Sequence, residues 1–162
     1  GEVVALTRRD GQYHYCDHQK GPLPFTLGAD PLVAQMRVAD DLTGAVDRLE
    51  SCRLWVHLIN SSAEDTIEVK MNGQVLTLEN PLVPGTMETP VWLRYELTPE
   101  QVRRGSNEIS IRLVSRDLPP QVQEEARIEV ADVELEIKYL MGRSSPRGFV
   151  DPDLGLYEHV VT

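Results

Sequence analysis

The sequence lacks any apolar run of the roughly 18 residues that a membrane-spanning helix needs, and no signal peptide is recognisable. Basic residues are also few, because 16 Lys and Arg stand against 26 Asp and Glu and give a net charge of −10. A nucleic-acid partner requires a basic patch, so this balance argues against a protein that binds a phosphate backbone. We therefore expect neither nucleic acid nor a membrane as a partner.

Cysteine is scarce as well. The chain contains two, Cys16 and Cys52, which is too few for a fold held together by disulfides. Two buried thiols are the favoured interpretation, since free cysteine is among the most buried residue types. The alternative is a Cys16–Cys52 bridge that attaches the N-terminal arm to a central strand.

The composition is that of a globular protein. The 162 residues, 41% of them hydrophobic and 26% charged, suit one domain with a sizeable core. Residues 1–30 show little periodicity and are predicted to form an N-terminal arm. Regular alternation begins near residue 31 and continues to 141, and residues 142–162 form a C-terminal extension rich in proline and glycine.

Short alternating segments dominate the middle of the chain. The clearest is residues 49–60, where Leu54, Val56 and Leu58 share one face of a predicted strand. No long helical period occurs, so the fold class is predicted to be all-β, an antiparallel β-sandwich. The predicted core consists of Leu54, Val56, Leu58, Ile67, Val69, Leu93, Leu97, Ile109, Ile111, Leu113, Val133, Leu135 and Ile137.

Two local signals support this architecture. Asn72-Gly73 lies between the alternating segments 66–71 and 74–78, and it predicts a hairpin with a two-residue type I′ turn. The alternation of apolar and polar residues shifts by one position at Ala131-Asp132, which predicts a β-bulge in the last strand.

A third signal is the sequence Thr98-Pro99-Glu100-Gln101, which predicts a capped helical turn. Gly105 is expected to end this turn in a left-handed conformation. Asn107 is expected to bond the loop backbone before the next strand begins.

Taken together, the Asn72-Gly73 turn, the segment 97–107 and the Ile-x-Ile strand that follows resemble a known family. They look like the jelly-roll, galactose-binding-like sandwich, and in particular the non-catalytic sugar-binding-type domain of large glycoside hydrolases of the β-galactosidase kind. The resemblance covers residues 31–141, and its motifs are specific to the fold rather than to an activity. It implies a carbohydrate-binding or carbohydrate-enzyme-associated module of a larger protein. The compartment stays open, with a lean towards an extracellular location.

The same resemblance implies the partners and cofactors. The partners would be an oligosaccharide or polysaccharide and the other domains of the parent protein. No cofactor is expected. Many such modules hold a structural calcium ion, but the acidic cluster that would bind it is not found in this sequence.

Sugar recognition needs an aromatic ring for the apolar face of a pyranose and polar groups for its hydroxyls. Trp92 is the first candidate ligand-binding residue, and Arg94 and Glu96 lie on the same outward side of its predicted strand. The alternative is that Trp92 covers an edge of the sandwich or packs under the C-terminal extension. Trp55 lies in the middle of a core strand, and we predict that it serves packing.

Tyr13 and Tyr15 are the next candidate ligand-binding residues, in the aromatic and polar cluster 13–18. His14, Cys16 and His18 alternate in this cluster, as metal ligands on one strand do. The sequence offers no second half of a zinc site, so packing of the arm against the sandwich is favoured and no metal site is assigned.

Catalytic residues are not assigned either. The chain has no nucleophile elbow, phosphate-binding loop or His-Glu-x-x-His motif. Asp40, Asp41, Asp151 and Asp153 form acid pairs of the type that glycosidases use, but solvated loops explain such pairs in an acidic chain.

We therefore expect a non-catalytic module, and two alternatives stay open. One is an interdomain module without its own ligand, which requires a large apolar contact surface; the apolar residues of 154–161 are the first place to look for it. The other is a small glycan-active enzyme, which requires titratable groups that converge in one deep pocket.

Overall fold

The computed structural model describes residues 2–9, 12–16, 23–81 and 91–140, with side chains from residue 23 onward. The strands are β1 (Glu2–Arg9), β2 (Gln12–Cys16), β3 (Phe25–Thr26), β4 (Leu32–Val38), β5 (Leu49–Ile59), β6 (Asp65–Met71), β7 (Gln74–Val75), β8 (Thr77–Leu78), β9 (Val91–Glu96), β10 (Gly105–Arg116) and β11 (Glu129–Tyr139). The described helical segments are α1 (Pro120–Glu125) and the single 3₁₀ turns Val46–Arg48 and Pro99–Gln101. None of the helices in these residues is long and apolar enough to cross a bilayer.

The strands form two antiparallel sheets, one of which curls into a half-barrel, so the predicted all-β, sandwich-like fold is confirmed. The first sheet has the order β7-β6-β10-β4, and the second has the order β2-β11-β5-β9-β8. β1 connects them, since it pairs in parallel with β4 at one end and antiparallel with β2 along the rest of its length. β3 pairs with the start of β11.

The core lies between the sheets and follows the predicted alternation. β4, for example, alternates strictly between buried and exposed residues. The fully buried side chains include Leu54 and Leu58 of β5 and Ile111 of β10. All but two of the predicted core residues are buried, and the two exceptions, Ile67 and Leu113, are partly buried and pack against the core.

The N-terminal segment differs from the prediction. Residues 1–30 were expected to form an arm, but β1 and β2 are strands of the continuous sheet, and β3 also begins before residue 31. Both β1 and β2 lie between neighbours, and their partners β4 and β11 are distant in sequence. Pairing on two sides stabilises a segment whose own alternation is weak, because strand preference depends strongly on context.

The Asn72-Gly73 turn is present as predicted. Both residues have positive φ, 51° and 84°, and Lys70 pairs with Val75 across the turn. The segment 74–78 is not one strand, however. The N–H of Leu76 donates to Val69 O at 2.9 Å, and the next two residues pair with β9 in the second sheet. The buried Leu76 is therefore the point at which the chain crosses between the sheets.

The capped turn and the residues after it are confirmed. The Thr98 N–H donates to Gln101 Oε1 at 2.8 Å, and Gly105 has a φ of 102°. Asn107 is fully buried: its Oδ1 accepts from the Arg103 N–H at 2.7 Å, and its Nδ2 donates to Arg103 O at 2.9 Å. Asn72 Nδ2 donates to the same Oδ1 at 2.9 Å, so one side chain connects the capped turn with the hairpin.

The structure also tests the predicted β-bulge and the predicted alternative of a Cys16–Cys52 bridge. The register of β11 against β5 shifts between Val130 and Asp132, which confirms the bulge. Cys52 is free and buried on β5, and burial raises the pKa of its thiol. The alternative of a Cys16–Cys52 bridge is wrong. β11 lies between β2 and β5, which separates the two backbones by about 10 Å, beyond the reach of a disulfide.

Candidate functional site

The outer faces of the two sheets differ in character. On the first sheet, the outward residues of β4, such as Gln35 and Arg37, are exposed. On the second sheet, every outward residue of β5 from Arg53 to Ile59 is half-buried, because large side chains from neighbouring strands cover one another. We call the outer surface of the second sheet the aromatic face and define it by Arg53, Trp55, His57, Glu79, Trp92, Arg94, Glu96 and Asp132.

The strand register arranges this face in rows. Residues directly opposite each other in an antiparallel pair project from the same side of the sheet. His57 of β5 lies opposite Trp92 of β9 and Asp132 of β11. One pair of residues further along, Trp55 lies opposite Arg94. The third row pairs Arg53 with Glu96.

In the first row, the His57 and Trp92 rings are stacked, with centroids 4.4 Å apart and planes 8° from parallel. His57 Nδ1 lies 3.4 Å from Asp132 Oδ2 on the other side. Contacts on both sides therefore restrict the imidazole, and the imidazole in turn orients the indole of Trp92. A ring that is already oriented loses little conformational freedom when a ligand stacks on it.

The second row combines an aromatic ring with a cation. The guanidinium carbon of Arg94 lies 5.7 Å from the centroid of the Trp55 ring, within the range of a cation–π contact. Arg94 Nε is 3.3 Å from Glu79 Oε2, although it is out of line for a hydrogen bond. Glu79 Oε1 also accepts from Arg53 Nε at 3.1 Å, so one carboxylate lies between two guanidinium groups.

Asn80 holds β9 at the edge of this face. Its Nδ2 donates to Trp92 O at 3.0 Å, and its Oδ1 accepts from the Arg94 N–H at 2.8 Å. The side chain thus continues the pairing that β8 ends at Leu78. Because it bonds the backbone on both sides of Leu93, Asn80 keeps Trp92 and Arg94 in strand geometry.

A groove of about 330 Å³ lies beyond the third row. Glu50, Arg53, Glu96 and Thr98 contribute polar groups to its lining, and Leu49 and Pro99 contribute apolar surface. Two of these residues, Arg53 and Glu96, also belong to the aromatic face. The face and the groove are therefore continuous.

Unpaired polar atoms mark the same surface. In the residues whose side chains are described, five buried side-chain nitrogen or oxygen atoms have no hydrogen-bond partner. Three of them, Trp55 Nε1, His57 Nε2 and Arg94 Nε, lie on the aromatic face. Such atoms are rare in folded proteins because each costs about 1–3 kcal/mol. The aromatic face therefore holds most of the buried polar atoms without a hydrogen bond in the described side chains.

The structure brings three of the five predicted ligand-binding residues together. Trp92 and Arg94 are half-buried and Glu96 is exposed on the outward side of β9. Tyr13 and Tyr15 lie elsewhere: their backbone positions on β2 pair with Ile137 and Leu135 of β11. β11 and β5 both intervene between β2 and β9. The side chains of Tyr13 and Tyr15 lie outside the described residues, so their predicted role stays a prediction.

Six contributors to this site were not predicted as site residues: Arg53, Trp55, His57, Glu79, Asn80 and Asp132. Trp55 is predicted to serve packing and His57 has no predicted role, although their position on the outward side is visible in the alternation of β5. Glu79 and Asn80 have no predicted role either. Their part becomes visible only when the register of β8 and β9 is known.

Metal binding and catalysis gain little support from the described side chains. In that part of the chain, no group of three or more His, Cys, Asp or Glu residues is placed to hold a metal ion. The Asp40 carboxylate accepts a hydrogen bond from the Tyr139 hydroxyl, whereas Asp41 bonds to Thr43, which lowers the pKa of Asp41. These adjacent acids therefore have separate structural partners. The cluster 13–18 and the pair Asp151 and Asp153 lie outside the described side chains.

No protein-family model matches the chain, and no curated protein matches it significantly in sequence.

Proposed function

We propose that this protein is a non-catalytic carbohydrate-binding module of the galactose-binding-like, jelly-roll type, and that it binds a neutral oligosaccharide on the aromatic face. The observation that carries the proposal is the oriented Trp92 ring, stacked on His57, beside unpaired polar atoms of the neighbouring residues. A pyranose presents an apolar face and a rim of hydroxyls, and this surface offers a partner for each.

The dimensions favour a short chain of sugars over a single ring. From Trp92 to Glu96 the face extends over five residues of β9, that is, four steps or about 13 Å at the usual strand rise of about 3.3 Å. The groove at Glu50 continues the surface beyond the third row. A linear glycan would therefore lie along β9, with one ring near Trp92 and another near Trp55.

The charges favour a neutral glycan. Arg53 and Arg94 share the carboxylate of Glu79, and Glu96 and Asp132 add negative charge to the same surface. A net charge of −10 also disfavours an anionic ligand. Affinity should therefore be modest and only slightly dependent on salt, since a few hydrogen bonds and stacked rings compete with water.

The two other interpretations have less support in the described residues. On the outer face of the first sheet, Ser110 and Lys70 lie between the exposed Val33 and Val75, so these apolar residues do not form one patch. An enzyme would need converging titratable groups. Among the described residues that line the pocket beside Tyr95, the one carboxylate is Asp65, which is paired with Arg116.

Intrinsic fluorescence offers a direct test, because the chain has two tryptophans and both lie on the aromatic face. The protein is first screened on a glycan array, and each hit is then titrated by tryptophan emission. The variants Trp92→Phe and Trp55→Phe assign the signal to one ring. Trp92→Ala should lower the affinity about tenfold, since an aromatic contact contributes about 1 kcal/mol or somewhat more.

The control variant is Arg112→Ala, on the outer face of the first sheet, where the side chain is 48% exposed and contacts Glu68. It should bind as the unchanged protein does, whereas Arg94→Ala should bind more weakly. Full retention of binding in Trp92→Ala would exclude this placement of the site. If no class of glycan binds, the interdomain interpretation replaces the proposal.

A further inference from the structure

A second cavity, distinct from the aromatic face, lies on the inner side of the second sheet. It has a volume of about 130 Å³ and is lined from both sheets, by Leu58, Leu78 and Leu93 on one side and Ile67 on the other. The loop after β5, residues 61–63, lines it as well. Because neighbouring residues of β9 project to opposite sides, Tyr95 faces this cavity while Trp92 and Arg94 face outward.

Two hydroxyl groups in the cavity lack partners. Ser61 is 8% exposed and Tyr95 is 2% exposed, and neither Ser61 Oγ nor the Tyr95 hydroxyl has a hydrogen-bond partner. Burial also raises the pKa of Tyr95, so its phenol stays protonated and can donate. These two atoms complete the set of unpaired buried atoms in the described side chains, since the other three lie on the aromatic face.

The one carboxylate among the described lining residues, Asp65, is already neutralised. Asp65 Oδ1 lies 2.9 Å from Arg116 Nε, and Asp65 Oδ2 accepts from the Ser62 N–H at 2.8 Å. Both side chains of this ion pair are almost completely buried. The groups left for a ligand are therefore two neutral hydroxyls and an aliphatic surface.

The volume of the cavity suits a ligand with one ring. Engineered apolar cavities of about 150 Å³ in another protein bind benzene, and this cavity is of similar volume. A sugar has hydroxyls around its whole rim, whereas the described lining offers two hydroxyls without a partner, among Leu58, Leu93 and Ile67, since the Ser62 hydroxyl donates to Asp65. The ligand that fits is mostly apolar.

We propose that this cavity binds a small neutral ring with one or two hydroxyl groups, a phenol or a cyclic alcohol. Its hydroxyl bonds to Ser61 Oγ and the Tyr95 hydroxyl, and its ring contacts Leu58 and Leu93. The proposal is independent of glycan binding, because the two sites lie on opposite sides of the second sheet.

Phenol is the probe, and benzene is the matched control without a hydroxyl. Each is titrated into the ¹⁵N-labelled protein while amide chemical shifts are recorded. Phenol should give saturable shifts at residues 61–65 and in the inward positions of β5 and β9. Benzene should bind at least fivefold more weakly, because it leaves the buried hydroxyls unpaired.

Two variants remove the hydroxyls, Tyr95→Phe and Ser61→Ala. Each should weaken phenol binding about fivefold and leave benzene binding unchanged, since one hydrogen bond contributes about 1 kcal/mol. Ser110→Ala, on the outer face of the first sheet, is the matched serine control, and Trp92→Ala is the control for the aromatic face. Both should bind phenol normally.

Ala63→Leu, which fills the cavity, should abolish the shifts; retained binding in this variant would contradict the proposal. The proposal also fails if phenol gives no saturable shifts, or if its shifts map to Trp55 and Trp92. The proposal would likewise be overturned if phenol and benzene bound with equal affinity and the Tyr95→Phe variant bound both as the unchanged protein does. Glycan binding is tested separately, by tryptophan emission on the other side of the sheet.

Discussion

At the scale of single residues, two asparagines hold the end of the sandwich together. Asn72 has positive φ and donates through Nδ2 to Gln101 O at 2.8 Å, while its Oδ1 accepts from the Glu108 N–H at 2.9 Å. Asn107 is fully buried, and its Nδ2 donates a hydrogen bond to Gly105 O in the loop before β10. Both serve backbone geometry, which agrees with the structural role expected of them from their place in turn motifs.

The adjacent Gly73 provides the first stability prediction. Its φ of +84° is strained for any side chain, although a Cβ there would meet no atom within 4 Å. Gly73→Val should therefore lower the free energy of unfolding by about 1–2 kcal/mol through backbone strain alone. Urea unfolding measures the change. Gly28→Val is the control, because Gly28 also has open space around it but no positive φ; equal losses in both variants would contradict the argument.

At the scale of elements, β5 and β10 stabilise the fold mainly through one inward face. β10 contributes Ile109 and Ile111 to the core, and β5 contributes Leu54 and Leu58, all fully buried. The outward face of β10 consists of exposed or half-exposed residues such as Glu108 and Arg112. Removing atoms from the two faces should therefore have very different consequences.

Ile111→Ala and Leu58→Ala should each lower the free energy of unfolding by about 2–5 kcal/mol, because burial is lost and a cavity remains. Val33→Ala, at a position 49% exposed on the neighbouring β4, should change it by less than about 0.5 kcal/mol. The measurement is again the urea midpoint with its slope. A cost below about 1 kcal/mol at both buried sites would mean that the strand faces are misassigned.

At the scale of the whole molecule, Arg116 connects the two sheets and α1. Its Nε pairs with Asp65 at the start of β6, and its Nη2 donates to Asn60 O, just after β5, at 2.7 Å. Its Nη1 donates to Ala126 O at the end of α1. The side chain is 5% exposed, so one buried cation holds three elements in place.

Arg116→Met should lower the free energy of unfolding by about 3–5 kcal/mol, because it leaves the Asp65 carboxylate buried without its counter-ion. The control Arg112→Met removes a half-exposed arginine with one acidic partner and should cost less than about 1 kcal/mol. Thermal and urea unfolding measure both variants. Similar losses of unfolding free energy in the two variants would show that burial of the Arg116–Asp65 pair adds nothing to its contribution to stability.

The sequence by itself determined the local features, which depend only on residues close to one another along the chain. The Asn72-Gly73 turn, the capped turn at Thr98 and the bulge after Val130 are local, because φ preferences and side-chain spacing act over a few positions. The alternation of apolar and polar residues along each predicted strand also determined which residues face the core. For the same reason it placed Trp92, Arg94 and Glu96 together on one side of β9.

The tertiary structure decided which strands are neighbours. Alternation assigns a face but not a partner, so the pairing of β1 and β2 into the sheet and the stacking of His57 on Trp92 depend on register between distant segments. The cavity at Ser61 and Tyr95 has the same origin, since it exists only where residues of both sheets meet. Local propensity therefore accounts for the strands, and long-range pairing accounts for both candidate sites.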